Sequence, residues 1–226
     1  MRLSQLVAAG VAATAVTLAL SVPAAAAPAP EPLPTFDFAD CPALPATADP
    51  GTWRCEAFVS QGSLTFGRVG KMELGEIRLT FAEGRINGQY AQVFGALRHE
   101  PARIPGLPGA TLRLRYGGYS DFLSDDRRRG ELGFYAELRH PLLPKGCAIA
   151  NPADPVVAVV HDEGTPTVVS DNPKTIKFSV YDEDLALPAA RGCGPLAPLL
   201  NHWLGLPSPS GTVRFEEHTY VRYQQY

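Results

Sequence analysis

The sequence has no excess of positive charge, little charge of any kind and, beyond its first twenty residues, no long apolar run. Lys and Arg number 20 against 23 Asp and Glu, a formal net charge of −3, and charged residues make up 19% of the chain. A mildly acidic chain lacks the electrostatic footprint that binds nucleic acid or anionic lipid. Without a second stretch near 20 consecutive apolar residues, no transmembrane segment is expected after the leader. Internal repeats are missing, and so are the spacings that carry common chemistry. His99-Glu-Pro-Ala-Arg103 stops short of the metalloprotease pattern H-E-x-x-H at its proline. Gly118-Tyr-Ser-Asp-Phe122 lacks the final glycine of a nucleophile elbow. No C-x-x-C or clustered Cys/His spacing suggests zinc. Neither a metal nor a cofactor is expected, and no residue is assigned a catalytic role.

What is present begins with an export signal. Met1 to Gln5 is a short n-region with one Arg, Leu6 to Leu20 is apolar, and Ser21 to Ala26 supplies small residues in the A-x-A arrangement. This predicts a signal peptide over 1–26, cut after Ala26, and a secreted, extracellular protein. Four cysteines follow, Cys41, Cys55, Cys147 and Cys193. An even number in an oxidising compartment predicts disulfides. Of the three possible pairings, Cys41–Cys55 with Cys147–Cys193 is favoured because each pair lies within one half of the chain. The second closes a loop of about 46 residues, worth about 3–4 kcal/mol in the chain-entropy model.

Residues 27–50 are rich in Pro and Ala, as in PAPEPLP and CPALPATADP, and are expected to form an extended linker outside the packed structure. A single β-rich domain is then expected over 51–226. Its signature is period two. Thr111 to Tyr116 alternates, as does Glu131 to Arg139, where Leu132, Phe134, Ala136 and Leu138 share one face. Ile176, Phe178 and Val180 alternate with Lys177, Ser179 and Tyr181 in the same way. Further strands are expected at 53–59, 63–66, 76–81, 89–97, 156–161, 165–170 and 213–223. Turn chemistry separates them at 82–85, Asn87-Gly88, 121–130, 162–164 and 171–173. One segment, 195–204, instead carries a helical stripe (196, 199, 200, 203, 204) ended by Gly205. The expected architecture is an all-β antiparallel sandwich or open barrel with one short helix in the C-terminal third.

Candidate chemistry is thin. Ser120, Asp121 and His140 form the only triad worth naming, and it has no spacing to support it. The acidic runs 161–163 and 182–184 suit oxygen ligation of Ca²⁺ but fit solvated turns better. Glu131 and Glu137 lie about 20 Å apart along one strand and are expected to face solvent opposite Arg113 and Arg115. The five histidines fall at strand ends, turns and polar faces. Trp53 and Trp203 read as core anchors near the disulfides.

The strings GCAIANPADPVV (146–157), SVYDEDLALPAARGCGPL (179–196) and LGLPSPSGT (204–212), with CPALPATADPGTWRCE (41–56) and FAEGRINGQYAQVFGALRHEP (81–101), resemble an uncharacterised family of secreted actinobacterial proteins with four cysteines. The resemblance spans nearly the whole exported chain. It implies export and a β-rich domain, and brings no catalytic residue with it.

The functional expectation is a secreted, non-catalytic binding or envelope-associated module. Its partner would be an extracellular protein, a glycan or a small apolar ligand. The alternatives are a secreted hydrolase with a loop-built site and a carrier of small apolar ligands. A barrel with an apolar interior favours carriage. A cleft with converging His and carboxylate groups favours the enzyme. A solid core with a flat aromatic patch favours protein or glycan binding.

Overall fold

The alternating segments form one strongly curled antiparallel sheet. The computed structural model describes residues 32–226, so the expected signal peptide lies outside the described residues. The strands are β1 (Arg54–Phe66), β2 (Gly70–Ile86), β3 (Gln89–His99), β4 (Ala102–Arg103), β5 (Thr111–Asp121) and β6 (Gly130–Arg139). They continue as β7 (Ala148–Ile149), β8 (Val156–Asp162), β9 (Thr167–Asp171), β10 (Lys174–Asp182), β11 (Ala190–Arg191) and β12 (Arg214–Gln225). The path β6-β8-β10-β12-β1-β2-β3 is hydrogen-bonded throughout, and β5 pairs with β6 at its far side. Curling brings β3 back toward β5, which makes the sheet an open barrel. Among the described residues no helix is long and apolar enough to cross a membrane.

The β3–β5 seam is made by side chains, not by a strand ladder. His99 is buried, and its Nδ1 accepts from the Leu114 amide at 2.9 Å. That fixes the proton on Nε2, which donates to the Leu74 carbonyl at 2.8 Å. Burial lowers the imidazole pKa, consistent with this neutral tautomer. Arg113 donates to the His99 carbonyl at 2.8 Å, and Phe94 stacks on Tyr116. The expectation of five histidines at turns and wet faces is therefore corrected at His99, which is a structural seam residue.

Two strands run longer than their patterns suggested. The expected pieces 53–59 and 63–66 are one strand, continuous through a bulge at Gly62/Ser63. The expected turn at 82–85 lies inside β2, whose hairpin to β3 turns at Asn87 and Gly88 (φ 52° and 80°). Gly84 marks a close approach, not a turn: a Cβ there would stand 2.5 Å from the Trp53 ring. Trp53 is fully buried, as expected of an anchor beside Cys55.

Both disulfides pair as expected, Cys41–Cys55 with Cα atoms 5.9 Å apart and Cys147–Cys193 at 4.4 Å. The segment from Pro34 to Asp49, expected as an unpacked linker, packs as one unit with the strands. It lies on the outside of β1–β3. Arg98 grips the Asp40 carboxylate with two hydrogen bonds, Thr80 Oγ1 donates to the Asp40 carbonyl, and Tyr226 donates to the Pro42 carbonyl. Gly95 permits the approach, since a Cβ there would lie 2.4 Å from the Asp40 carbonyl oxygen. Composition marked this stretch as linker because extended Pro-rich chain and an extended covering strap look alike in sequence.

The helix α1 (Ala197–Leu204) follows a single 3-10 turn and ends at Gly205 in the left-handed region (φ 71°). Leu200 and Leu204 enter the main core, whereas Leu199 and Trp203 are 55% and 50% exposed. Trp203 is thus not a core anchor, because only one narrow side of this short helix meets the barrel. Asn201 fixes it by a reciprocal pair of hydrogen bonds to the Ala190 backbone. The Arg68 amide, in the β1–β2 turn, donates to the Leu204 carbonyl at 3.1 Å. The main core beside it, with Leu64, Phe66, Met72, Leu112, Ile149 and Leu204 nearly inaccessible, fills this end of the barrel.

Candidate functional site

At the other end the barrel is hollow. A cavity of about 390 Å³ lies inside the curled sheet, walled by Phe58, Phe81, Val160, Ile176, Phe178 and Val221. Strand pairing explains the lining. Inward positions on β1 (54, 56, 58, 60) sit opposite 225, 223, 221 and 219 on β12 and opposite 83, 81, 79 and 77 on β2. Phe58 meets both Phe81 and Phe178 edge to face, with centroids 5.5 and 5.9 Å apart. Residues near the mouth are Ser124, Pro166, Lys174 and Tyr223, all exposed.

A polar network rims this end. Arg54 reaches Glu56 at 2.8 Å and Glu83 at 2.5 Å, and Tyr90 donates to Glu83 at 2.6 Å. Gln92 donates to the Tyr90 hydroxyl. Burial, together with the neighbouring Glu83 carboxyl, pushes Glu56 up to about 7 despite Arg54. Arg54 also lies over the Tyr223 ring. Arg129 sits nearby, bonded twice to Asp162 and stacked over Phe178.

Deeper in the cavity stands Glu217, on β12 opposite Gly62. Its side chain is half-buried and borders the cavity. Burial pushes it up to about 7, and a hydrogen bond from Ser60 opposes the shift only in part. Ser60 is bonded in turn to Thr219, 2.9 Å between hydroxyls. Among the described residues Glu217 joins no ion pair; its neighbours on the cavity wall are Ile77, Phe215, Val180 and Thr219.

The residues singled out from sequence fall elsewhere. Ser120 bonds Tyr116 at one end of the β5–β6 hairpin, and His140 receives the Leu142 amide just past its other end. Nine residues of strand, about 30 Å, separate Ser120 from Thr111 at that far end, so no triad forms. Glu137 pairs with Arg115 and Arg139, as expected of a surface charge. Glu131 instead turns toward the cavity mouth, bonded to Arg128 and Tyr119. Asp182 is buried rather than solvated: it accepts the Val159 and Asp184 amides and ties β8 to β10 where their ladder is short. No group of three His, Cys, Asp or Glu among the described residues is arranged to hold a metal ion. His161, His202 and His218 are bonded to Arg127, Arg68 and Ser179 respectively, each near the surface.

Glu56, Glu83 and Glu217 were not singled out by sequence reasoning. For Glu217 a signal existed. It shares strand parity with Phe215, Thr219 and Val221, so it is an acid on an apolar face. Glu56 and Glu83 gave none, because β1 and β2 are covered on both faces and parity does not say which side is wet. A more open groove of about 670 Å³ runs along β6 and β7 beside Cys147, where Glu137, Arg139 and Lys145 stand among apolar residues. Fold and site together define an open antiparallel barrel with a hollow, acid-bearing end. Comparison with protein-family models, with curated proteins and with solved structures gives no match for the chain.

Proposed function

We propose that this is a secreted, non-catalytic binding protein that takes a small apolar or amphipathic ligand into the open end of its barrel. The single observation behind this reading is the aromatic-walled cavity of about 390 Å³, within the size range of small-molecule pockets. Two disulfides are compatible with an oxidising, extracellular setting, and the leader over 1–26 supports export. Titration of the purified protein with the neutral fluorophore N-phenyl-1-naphthylamine tests the proposal. Saturable enhancement of emission is expected, and it should fall at least several-fold in Val160→Phe, which occupies the space. Absence of saturable uptake by the unaltered protein would reject it.

A second reading, a secreted hydrolase, is favoured by one observation: Glu56 and Glu83 converge on the same Arg54, at 2.8 and 2.5 Å, and Glu56 is pushed up to about 7. Paired carboxyls of that kind can share a proton and do acid–base work. Against it, Arg54 binds both carboxyls and Tyr90 covers Glu83, which leaves few free lone pairs. Turnover in an esterase, glycosidase or peptidase panel that disappears in Glu56→Gln, with the fold intact, would establish the hydrolase instead.

A further inference from the structure

The acid inside the cavity narrows the chemistry of the occupant. A half-buried carboxyl set among Ile77, Val180 and Phe215 has given up part of its hydration and has no ion-pair partner among the described residues in exchange. An ionised carboxyl has room for about four donors. Burying an acid without a counter-charge is destabilising, and a hydrophobic residue of similar size would be accommodated more easily. The cationic groups near the mouth are largely engaged: Arg54 with Glu56 and Glu83, Arg129 with Asp162. What the deep end lacks is a cation with several N–H donors, attached to something apolar enough to lie among phenylalanines.

We propose that the cavity binds a lipophilic amine, its ammonium group seated against Glu217 and its hydrocarbon part lying between Phe58, Phe178 and Val221. This rests on the ligand-carrier reading above and specifies its ligand class. Ser60 and Thr219 act as positioning residues. The Ser60 and Thr219 hydroxyls bond each other on the strand positions beside Glu217, and Ser60 favours the charged form of the carboxyl, whose lone pairs are left for the ligand. Gly62, directly across from Glu217, keeps this end passable. A Cβ there would stand 2.7 Å from the Ile77 side chain, which lines the cavity. A fatty acid is disfavoured at the same position, because its carboxylate would meet a like charge or its chain would bury one.

The test is displacement of N-phenyl-1-naphthylamine by decylamine, decanol and decanoate, at neutral pH and below their micelle concentrations. Decylamine should displace the probe at about ten-fold lower concentration than decanol, with decanoate weakest, as a buried charge-assisted hydrogen bond implies. Glu217→Gln should still take up the probe and lose the preference for amine, and Glu217→Leu should do the same with higher affinity for decanol. Equal displacement by all three, a preference for decanoate, or an amine preference that survives in both variants would overturn the proposal while leaving the carrier reading intact. No uptake of the probe at all would overturn both.

Discussion

At the end of the barrel next to α1, the inward positions of β1, β2 and β5 are Leu64, Phe66, Met72 and Leu112, packed to near-zero exposure. At the other end the same β1 and β2 turn Arg54, Glu56 and Glu83 inward, and β12 adds Glu217, around open space. The backbone geometry is shared and only the side chains differ. The packed end has the density of an organic solid, where loss or gain of a methylene is felt. The hollow end is walled by edge-to-face aromatics and carries an ion-paired rim around its open mouth. Stability therefore resides at one end and, on the reading above, recognition at the other.

That contrast can be broken most forcefully at the packed end. Leu200→Asp puts an unpaired charge into the core against Leu204 and is expected to destabilise the protein by roughly 3 kcal/mol or more in urea unfolding. A near-neutral result would mean that α1 is not part of the core.

The buried acid gives the next largest effect, with a defined sign. Glu217 ordinarily titrates near 4.5 and is raised to about 7 in the folded chain. Between these values the native state binds more protons than the unfolded state, so stability falls as pH rises from 4.5 to 7 and the loss is complete above 7. Glu56 contributes in the same direction. Glu217→Gln should remove most of its share, making the protein about 2–3 kcal/mol more stable at pH 8 and no more stable at pH 4. A variant that is less stable at pH 8 would show that the charged carboxyl has a partner inside the protein.

A matched pair of substitutions sharpens the comparison further. Val213 belongs to the packed core and Val160 borders the cavity. Val213→Phe is expected to destabilise by about 1–3 kcal/mol through overpacking, whereas Val160→Phe should change stability by less than about 1 kcal/mol because the ring has space to enter. Equal costs would indicate that both ends are equally full.

Much of this architecture is legible in the chain itself. Alternation over Glu131–Arg139 and Ile176–Tyr181 located strands and their inward faces, and Gly205 located the end of the only α-helix in the described residues. The failures have physical causes. Glycine signals a turn and a close approach with the same letter, which is why Ala82–Arg85 read as a break when Gly84 in fact accommodates Trp53. Pro-rich chain reads as linker, yet Asp40 and Cys41 fasten it to the sheet by an ion pair and a disulfide. The hollow end was the least legible part, because a phenylalanine facing a cavity and one facing a packed core are the same residue with the same parity. Only the misplaced acid Glu217, among Phe215, Thr219 and Val221, distinguishes them.

The most direct test of the division between the two ends is a methyl NMR spectrum of the full chain, recorded during titration with decylamine. Shifts are expected at Val160, Ile176, Val180 and Val221, which line the cavity, and not at Leu64, Leu112, Leu138 or Leu204. Perturbations confined to the packed end, or spread over the exposed Leu142 and Leu199 methyls with none at the cavity, would contradict the account.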